Sequence, residues 1–272
     1  QSQRLGFVQG NPSSLLMVEY AGETEAEVRA QVEKLEELRK RENIGYAATL
    51  AFKPEEVKAI WGVRKAGLGL LLGTKGDKKP IAFVEDAAVE PSKLPEFIKR
   101  FRAIVSGHDT VAGYYGHCSV GCMHIRPLIN LKEESEKQKM VSIANAILEL
   151  VLEFNGAMSG EHGDGLARSH FNARLFGPAL YEAFRQVKRA FDPKNLMNPG
   201  KIVDSPAMTE SLKINPQYKT WEPQTTLDFS EQGGFARAVE MCSGMGECRK
   251  KLDGTMCPSY MGTLDEEHST RG

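Results

Sequence analysis

The sequence predicts an α+β fold, a ferredoxin-like sandwich in which one antiparallel sheet carries helices on one face, followed by a small cysteine-rich module at the C-terminus. Apolar runs typical of strands alternate with amphipathic helical patterns over short connections, which favours this layered arrangement. The 272 residues are 41% apolar and 26% charged, as in ordinary globular domains. Three of the five cysteines lie near the C-terminus and indicate the separate module.

The first half of the chain supplies the predicted strands and three helices. Thr24 and Glu27 form a capping box, because the hydroxyl and the carboxylate can each accept a hydrogen bond from an N–H group at the start of a helix. Pro54 opens a second helix over 54–66, at a position where the missing N–H costs nothing, and a third follows over 91–105. Five segments have the apolar character of strands: 15–20, 46–52, 81–89, 111–117 and 123–131.

The second half contains two further helical patterns and then a change in composition. A helix over 134–154 ends at Asn155-Gly156, a left-handed cap signal. A helix over 178–191 ends at Asp192-Pro193, because the residue before a proline disfavours the helical conformation. The next stretch is polar, contains several prolines and has little periodicity, as expected of an extended linker. We predict three regions: a substrate domain over 1–203, a linker over 204–234 and the cysteine module over 235–272.

Charge and cysteine usage exclude several classes of protein. The net charge of −1 argues against a general nucleic-acid binder, which is usually basic. No apolar run approaches the roughly 18 residues needed to span a bilayer, and no signal peptide is visible. An odd number of cysteines without a secretory signal predicts a reducing compartment. We expect a cytoplasmic protein, with a peripheral position at the inner membrane as a second expectation. The chain starts at Gln1 rather than Met, and we expect a fragment of a longer protein.

Two short Gly-rich segments, 116–124 and 159–165, hold three of the six histidines. His117 and His124 would face opposite sides of one continuous strand, because side chains alternate along a strand. Both can reach one ion only if the chain turns between them, and Gly121 permits such a turn. The alternative is that each histidine is an ordinary surface or capping residue.

The second Gly-rich segment adds a carboxylate to these imidazoles. Such a combination suits Zn²⁺, Mn²⁺ or iron. Glu161 could supply a third ligand and leave an open position, as in catalytic metal sites. His162 would then lie beside the ion without binding it, where it could take a proton.

Further motifs follow one another in a fixed order along the chain. They are Trp61-Gly62-Val63-Arg64-Lys65, Val84-Glu85-Asp86-Ala87-Ala88-Val89 and Phe191-Asp192-Pro193-Lys194-Asn195-Leu196-Met197-Asn198-Pro199-Gly200-Lys201. Together with the two histidine segments, this set resembles the C-terminal domain of FAD-linked oxidases in the vanillyl-alcohol oxidase superfamily. Relatives in that family include the glycolate oxidase flavin subunit, D-lactate dehydrogenase and D-2-hydroxyglutarate dehydrogenase. The resemblance covers roughly 15–203.

The resemblance implies a flavin-dependent dehydrogenase that oxidises a D-2-hydroxy acid, such as D-2-hydroxyglutarate, D-lactate or glycolate, to the 2-oxo acid. By position, His117, His124 and Glu161 would bind a divalent metal, Zn²⁺ or Mn²⁺, that chelates the substrate. His162 would be the catalytic base. Arg64 would bind the substrate carboxylate.

The resemblance also implies FAD, which the family binds mainly through a separate N-terminal domain. This sequence shows no Gly-rich loop for the flavin pyrophosphate. Asn198 and Gly200 belong to the return of the chain toward that domain, and they are the expected residues near FAD. We therefore expect the isolated chain to bind FAD weakly and to be inactive alone.

Two arginines and two cysteines near the histidine segments are further candidates for the site. Arg126 replaces the Asn of the hydroxyglutarate enzymes, and it would pair bidentately with a second substrate carboxylate or be structural. Arg168, just after the second histidine segment, is a further candidate for anion binding. Cys118 and Cys122 flank the site, where small packing residues are commoner than metal ligands. The family's substrate Lys has no counterpart, since Val84 and Glu85 occupy its region.

The C-terminal cysteines resemble the iron–sulfur half of fused FAD and [4Fe–4S] oxidoreductases. Cys242, Cys248 and Cys257 would bind the cluster, with Cys257 before a proline as in ferredoxin runs. Met245 stands where the usual middle cysteine is missing, so a fourth ligand must come from elsewhere. Electrons would pass from FAD to the cluster and on to a quinone or an electron-transfer flavoprotein. The alternatives are a zinc site that adds His268, and unligated thiols.

Two rival functions fit the same residues. An open site of two histidines and a glutamate is also a hydrolase site, so a metal-dependent hydrolase without flavin is the enzyme alternative. A zinc-stapled interaction module at the C-terminus is the alternative that is not an enzyme.

Overall fold

The computed structural model describes residues 6–252, 256–270 and 272, and the chain forms two compact units. The first unit is Gln1–Leu70 and the second is Leu71–Gly272. This division differs from the predicted one, whose domain bounds stay predictions. No helix in the described ranges is long and apolar enough to cross a lipid bilayer.

The first unit contains α1 (Glu25–Arg41) and all but the last two residues of α2 (Pro54–Leu72). Neither helix buries a side chain fully. Thr24 caps α1 as predicted, with its hydroxyl accepting a hydrogen bond from the Glu27 N–H at 3.2 Å. The Glu27 carboxylate accepts from the N–H of Glu23 at 3.0 Å. Helix α2 continues six residues past its predicted end at 66, since Leu68, Leu70 and their neighbours continue the helical run.

The strands predicted over 15–20 and 46–52 are wrong, because both segments are irregular. Neither pairs with another strand in the described part of the unit. Instead, the Thr49 hydroxyl donates to the Phe7 carbonyl at 2.7 Å and the Tyr46 hydroxyl donates to the Gln9 carbonyl at 2.9 Å. Side-chain hydrogen bonds therefore join the second segment to residues 7 and 9, without a backbone ladder among the described residues.

The second unit contains a small antiparallel sheet centred on one strand. Its strands are β1 (Lys79–Pro80), β2 (Ala87–Ala88), β3 (Ala112–His117) and β4 (Cys122–Ile129). Strand β3 pairs with β4 along its whole length, while β2 and β1 pair with the beginning and the end of β4. This confirms the α+β class and the strand pair predicted over 111–117 and 123–131.

The strand predicted over 81–89 forms only at its end. Ile81 and Asp86 each donate their N–H to a β4 carbonyl, so the segment does run beside β4. Asp86, however, has a left-handed backbone with a φ of 87°, which interrupts the ladder. The result is a loop between β1 and β2 rather than one long strand.

Two helices cover the sheet and form the core with it. They are α3 (Leu94–Gly107), which follows a 3-10 turn at Pro91–Lys93, and α4 (Glu134–Glu153). Both agree with the prediction to within a few residues. The rings of Phe97 and Phe101 meet edge to face, with centroids 5.9 Å apart. Burial of such side chains is the main source of stability in this unit; the most deeply buried include Phe97, Phe101, Ile125, Ile129, Ile143 and Ile147.

The remaining helices are α5 (Gly165–Arg168), α6 (Asn172–Phe191), α7 (Phe235–Glu240) and α8 (Pro258–Thr263). Helix α6 starts six residues before its predicted beginning at 178, and it is kinked at Gly177, whose φ is 72°. The predicted helix is the part that follows the kink at Pro178.

The segment predicted as an extended linker, 204–234, is irregular apart from a 3-10 turn at Ser230–Gln232. Its first part is not free, because Met208 is buried in the core and Leu212 and Ile214 pack against it. An ion pair attaches helix α7 to the loop before β1, because the Arg237 guanidinium donates a hydrogen bond to the Asp77 carboxylate at 2.7 Å. The chain leading to the cysteine module is therefore attached to the second unit.

Candidate functional site

The β3–β4 hairpin presents the candidate site on one of its two faces. Cross-strand pairs place His117 opposite Cys122 and Tyr115 opposite His124, while Arg126 follows on the same face of β4. The other face of β4 carries Met123, Ile125 and Ile129, which are in the core. The alternation of the two strands therefore separates polar site residues from apolar core residues.

Gly121 makes the turn that brings the two hairpin histidines to the same face. Its φ is 69°, at the end of a 3-10 turn over Cys118–Val120. A Cβ atom on Gly121 would lie 1.8 Å from the carbonyl oxygen of Val89. The prediction that the chain turns at Gly121 between His117 and His124 is confirmed.

The second Gly-rich segment is fixed above the hairpin by the carboxylate of Asp86. This carboxylate accepts hydrogen bonds from the Ser159 hydroxyl at 2.7 Å, the Glu161 N–H at 3.0 Å and the His162 N–H at 2.8 Å. Burial raises the pKa of Asp86, but these hydrogen bonds outweigh burial and lower it to about 2. Asp86 is therefore a buried, ionised anchor.

The predicted metal ligands converge on one oxygen of Glu161. Its Oε1 lies 3.1 Å from Nε2 of His124, 3.5 Å from Nε2 of His117 and 3.4 Å from Nε2 of His162. The rings of His124 and His162 are stacked, with centroids 4.7 Å apart and planes 6° from parallel. By distance alone, His162 is placed as well as His117 to contact an ion beside Glu161.

His124 has the surroundings of a metal-binding histidine. Its side chain is 3% exposed, and its buried Nδ1 has no hydrogen-bond partner in the described residues. Nδ1 lies 3.7 Å from a Glu85 oxygen and 3.9 Å from an Asp86 oxygen. Metal-bound histidines usually direct the nitrogen that does not bind the ion to a carboxylate. Burial lowers the pKa of His124, which favours the neutral imidazole that binds metals.

Groups of ligand atoms close enough to share one ion occur, among the described residues, in two overlapping sets. One is Asp86, Cys122, His124 and Glu161, and the other is Glu85, His124 and His162. Both contain His124 and acidic oxygens, a donor set that suits Zn²⁺ or Mn²⁺. The residues of these two sets therefore fit a divalent cation, whereas the predicted ligand His117 belongs to neither set.

Glu85 is a member of the site that sequence reasoning missed. Its Oε1 accepts hydrogen bonds from Nη2 of Arg126 at 3.0 Å and from the Tyr115 hydroxyl at 3.4 Å, and it lies 3.4 Å from Nδ1 of His162. Nε of Arg126 also donates to the Tyr115 hydroxyl, at 3.0 Å. Glu85 thus neutralises Arg126 beneath the imidazoles. Its only signal in the sequence is a second acid directly before Asp86.

Arg168 lies beneath the same region, with a buried side chain. It donates to the backbone carbonyls of Glu85 and Gly163, each at 2.6 Å. These bonds tie the β1–β2 loop to the second Gly-rich segment. Binding of a substrate anion by Arg168 stays a prediction.

Arg64, Asn198 and Gly200 are the remaining predicted site residues of the substrate domain. Arg64 lies on α2 in the first unit, and its substrate role stays a prediction. Asn198 and Gly200 have left-handed backbones in the turn after α6, with φ of 47° and 70°. The Asp192 carboxylate holds this turn by accepting from two backbone N–H groups. The position of Asn198 and Gly200 near FAD stays a prediction.

The two cysteines of the hairpin differ in surroundings. Cys118 is exposed, while Cys122 is buried and its thiol donates to Asp86 at 3.3 Å. Burial and the Asp86 charge raise the pKa of Cys122 to about 12. The thiol therefore stays protonated, in agreement with a packing role.

Among the described residues, neither set of convergent ligand atoms includes a cysteine of the C-terminal module, and the zinc alternative stays a prediction. His268 Nδ1 instead contacts the Thr263 hydroxyl at 2.8 Å, and the Thr270 N–H donates to the sulfur of Cys257 at 2.9 Å. Cys242 is exposed and Cys248 is half-buried. A cluster bound by Cys242, Cys248 and Cys257 stays a prediction. Residues 253–255 and Arg271 of the predicted module lie outside the described residues.

Comparison with known proteins gives one consistent family. A family model described as FAD linked oxidases, C-terminal domain, matches residues 6–202. The chain is 35% identical to a D-2-hydroxyglutarate dehydrogenase of Pseudomonas putida over 262 residues, covering 94% of the chain and 26% of that relative. It is 33% identical to the enzyme of the same name from Escherichia coli over 270 residues, covering 95% of the chain and 26% of the relative. A D-lactate dehydrogenase of Archaeoglobus fulgidus is 32% identical over 158 residues, covering 58% of the chain and 33% of the relative.

The chain spans about a quarter of the length of the first two relatives. The stretch that matches the family model contains both histidine segments, the Glu85–Asp86 loop and the turn after α6. On this match, the chain belongs to the family of FAD-linked oxidases, as their C-terminal domain.

Proposed function

We propose that this chain forms the substrate- and metal-binding part of a flavin-dependent dehydrogenase that oxidises a D-2-hydroxy acid to the 2-oxo acid. The observation that carries the proposal is the convergence of three imidazoles on Glu161 Oε1. The names of the relatives, D-2-hydroxyglutarate dehydrogenase and D-lactate dehydrogenase, support the same reaction class.

His117, His124 and Glu161 would hold the divalent metal. An ion bound there would lower the pKa of the substrate hydroxyl and orient the substrate. Of the three, His124 is fixed most firmly, because it is buried between carboxylates, while His117 and Glu161 are about half exposed. An exposed side of the site leaves room for a small acid.

His162 would be the base that takes the hydroxyl proton. Its Nδ1 lies beside the Glu85 carboxylate, so a proton on Nδ1 is favoured there. Nε2 would then carry the free lone pair on the side of Glu161. With its side chain 43% exposed, His162 is accessible to a bound substrate.

Arg126 would bind a second carboxylate of the substrate, which favours a dicarboxylate such as D-2-hydroxyglutarate. Two relatives of that name match along 94–95% of the chain, whereas the D-lactate enzyme matches along 58%. Arg168 would support the site from beneath.

FAD would be held mainly by polypeptide other than this chain, with Asn198 and Gly200 at the approach to it. When bound, FAD would supply the hydride acceptor for this oxidation. The cysteine module is proposed to bind a [4Fe–4S] cluster through Cys242, Cys248 and Cys257 and to pass electrons toward a quinone or an electron-transfer flavoprotein. The cluster is tested by measuring iron and acid-labile sulfide in the anaerobically purified protein, and we expect both to be present. Zinc in the absence of iron and sulfide would indicate a zinc-stapled module instead.

The test of the function uses the intact enzyme that contains this chain, purified anaerobically. A panel of D- and L-2-hydroxy acids is mixed with it, and the loss of oxidised-flavin absorbance is followed with and without removal of metal. We expect fast bleaching by one D-acid, its loss on metal removal and its recovery with Zn²⁺ or Mn²⁺. His162→Asn should slow bleaching by about 10²–10⁴-fold.

The matched control is His108→Gln, since His108 bonds to Ile104 and Ser142 outside the site. It should bleach at the rate of the unmodified enzyme. A flavin-loaded enzyme that no hydroxy acid bleaches would overturn the substrate class. A protein without flavin would favour the metal-dependent hydrolase.

A further inference from the structure

The carboxylate of Asp86 joins the β1–β2 loop to the segment that carries Glu161 and His162. We propose that Asp86 is a positioning residue that sets the geometry of the metal site by holding this segment, without binding the ion or the substrate itself. The inference rests on the proposed metal site and adds to it a residue that controls how firmly the ion is held.

The contacts of Asp86 account for both of its oxygens. Oδ2 accepts from the Ser159 hydroxyl, the Glu161 N–H and the His162 N–H at 2.7, 3.0 and 2.8 Å. Oδ1 accepts from the Cys122 thiol at 3.3 Å and from the Glu161 N–H at 3.2 Å. A carboxylate with its oxygens already engaged is a poor additional ligand, although it lies close enough to the other ligand atoms to reach an ion.

The backbone of Asp86 is fixed as firmly as its side chain. The Asp86 N–H donates to the Met123 carbonyl at 3.1 Å, and its carbonyl accepts from the Gly160 N–H at 2.8 Å. Its φ of 87° is rarely adopted by residues other than glycine. Such conformations persist where surrounding contacts enforce them, and they occur preferentially at functional sites.

Gly160 allows the segment that carries Glu161 and His162 to lie close to β2 and β4. A Cβ atom there would lie 3.0 Å from the sulfur of Cys122 and 3.0 Å from Cβ of Ala88. The segment can therefore pack closely against β2 and β4. There, three hydrogen-bond donors of the segment reach the Asp86 carboxylate. The side chains that follow, Glu161 and His162, are thereby directed at His124.

The experiment measures Zn²⁺ affinity of the whole chain by competition titration, with the ligand-field spectrum of the Co²⁺-loaded chain as a second readout. Asp86→Asn keeps the shape but places an amide among hydrogen-bond donors. We expect it to weaken Zn²⁺ binding by about 10–100-fold, as loss of groups that orient metal ligands does, and to change the Co²⁺ spectrum. Ser159→Ala removes one donor to Asp86 and should weaken binding in the same direction by a smaller factor.

The matched control is Asp192→Asn, because Asp192 is also a buried aspartate that holds a loop through two backbone N–H groups. It should leave Zn²⁺ affinity and the Co²⁺ spectrum unchanged. A double-mutant cycle with Glu161→Ala separates positioning from general damage to the fold. If Asp86 acts through Glu161, Asp86→Asn should have much less effect in the Glu161→Ala background.

Two results would overturn the inference. One is a folded Asp86→Asn chain with unchanged Zn²⁺ affinity. The other is additivity of Asp86→Asn and Glu161→Ala in the cycle. If Asp86→Asn does not fold, Ser159→Ala decides, and unchanged affinity in that folded variant counts against the inference. Absence of Zn²⁺ binding by the unmodified chain would instead contradict the proposed metal site.

Discussion

Arg126 and Glu85 pair at 3.0 Å beneath the imidazoles, with side chains 14% and 6% exposed. If Arg126 also binds a second substrate carboxylate, its loss should affect dicarboxylates most. Arg126→Met in the intact enzyme should raise KM for D-2-hydroxyglutarate by about 10–100-fold, the loss expected for a hydrogen bond between charged groups. KM for D-lactate should change far less.

Two further variants make the KM comparison decisive. Arg126→Met leaves the buried Glu85 without its guanidinium partner, which destabilises the fold. The double variant Arg126→Met with Glu85→Gln therefore removes both charges. Arg174→Met is the control, because Arg174 pairs with Glu149 at an exposed position. An equal rise in KM for both substrates would assign Arg126 a structural role instead.

Residue types and glycine positions indicate that His117, His124 and Glu161 lie close together, and the structure places both imidazoles within 3.5 Å of Glu161 Oε1. Their role as metal ligands stays a prediction. The roles of Glu85 and Asp86 could not be predicted in this way. They are adjacent in the sequence, yet one contacts Arg126 and the other the 159–162 backbone. Such partners are decided by tertiary packing, which a local pattern does not contain.

Among the secondary-structure elements, the turn of the β3–β4 hairpin has the strictest steric requirement. Gly121→Ala adds a positive-φ cost and a clash with the Val89 carbonyl, together about 2–5 kcal/mol of unfolding free energy. We expect urea unfolding to show this loss and Zn²⁺ affinity to fall with it. The control is Gly76→Ala, since Gly76 has a φ of +87° and open space around it. It should lose about 1–2 kcal/mol and keep its Zn²⁺ affinity, and similar losses in both variants would contradict the steric account.

Helices with caps and long periodicity could be predicted from sequence, whereas isolated apolar runs could not. Helix α4 has both a clear apolar face and a stop signal at Asn155, whose φ is 51°. The runs at 15–20 and 46–52 are short, and periodicity alone does not separate a strand from an irregular segment. A strand also needs a partner, and the described part of the first unit offers none to these runs.

At the scale of the whole molecule, acid should weaken the second unit through its carboxylates. The pKa of Asp77 is lowered from 3.8 to about 2, chiefly by Arg237. The pKa of Asp86 is also lowered to about 2, by hydrogen bonds that outweigh burial. A carboxyl whose pKa is lower in the folded state stabilises the fold above its unfolded-state pKa, and this stabilisation is lost as the pH falls.

The free energy of unfolding of the second unit should therefore decrease as the pH falls from about 4 to about 2. Above that window these two groups should add no pH dependence. Urea titrations followed by circular dichroism measure this, and Asp77→Asn should flatten part of the decrease. A free energy that stays constant across the window would contradict the assignment of these charges.

The central claim is that His117, His124 and Glu161 form one divalent-metal site. X-ray absorption at the Zn K-edge of the Zn²⁺-loaded chain tests it most directly. We predict a shell of nitrogen and oxygen ligands at about 2.0–2.1 Å with imidazole scattering, lost in His124→Ala and retained in His108→Gln. A sulfur shell at about 2.3 Å would place the ion on cysteines instead, and a chain that binds no Zn²⁺ would contradict the site altogether.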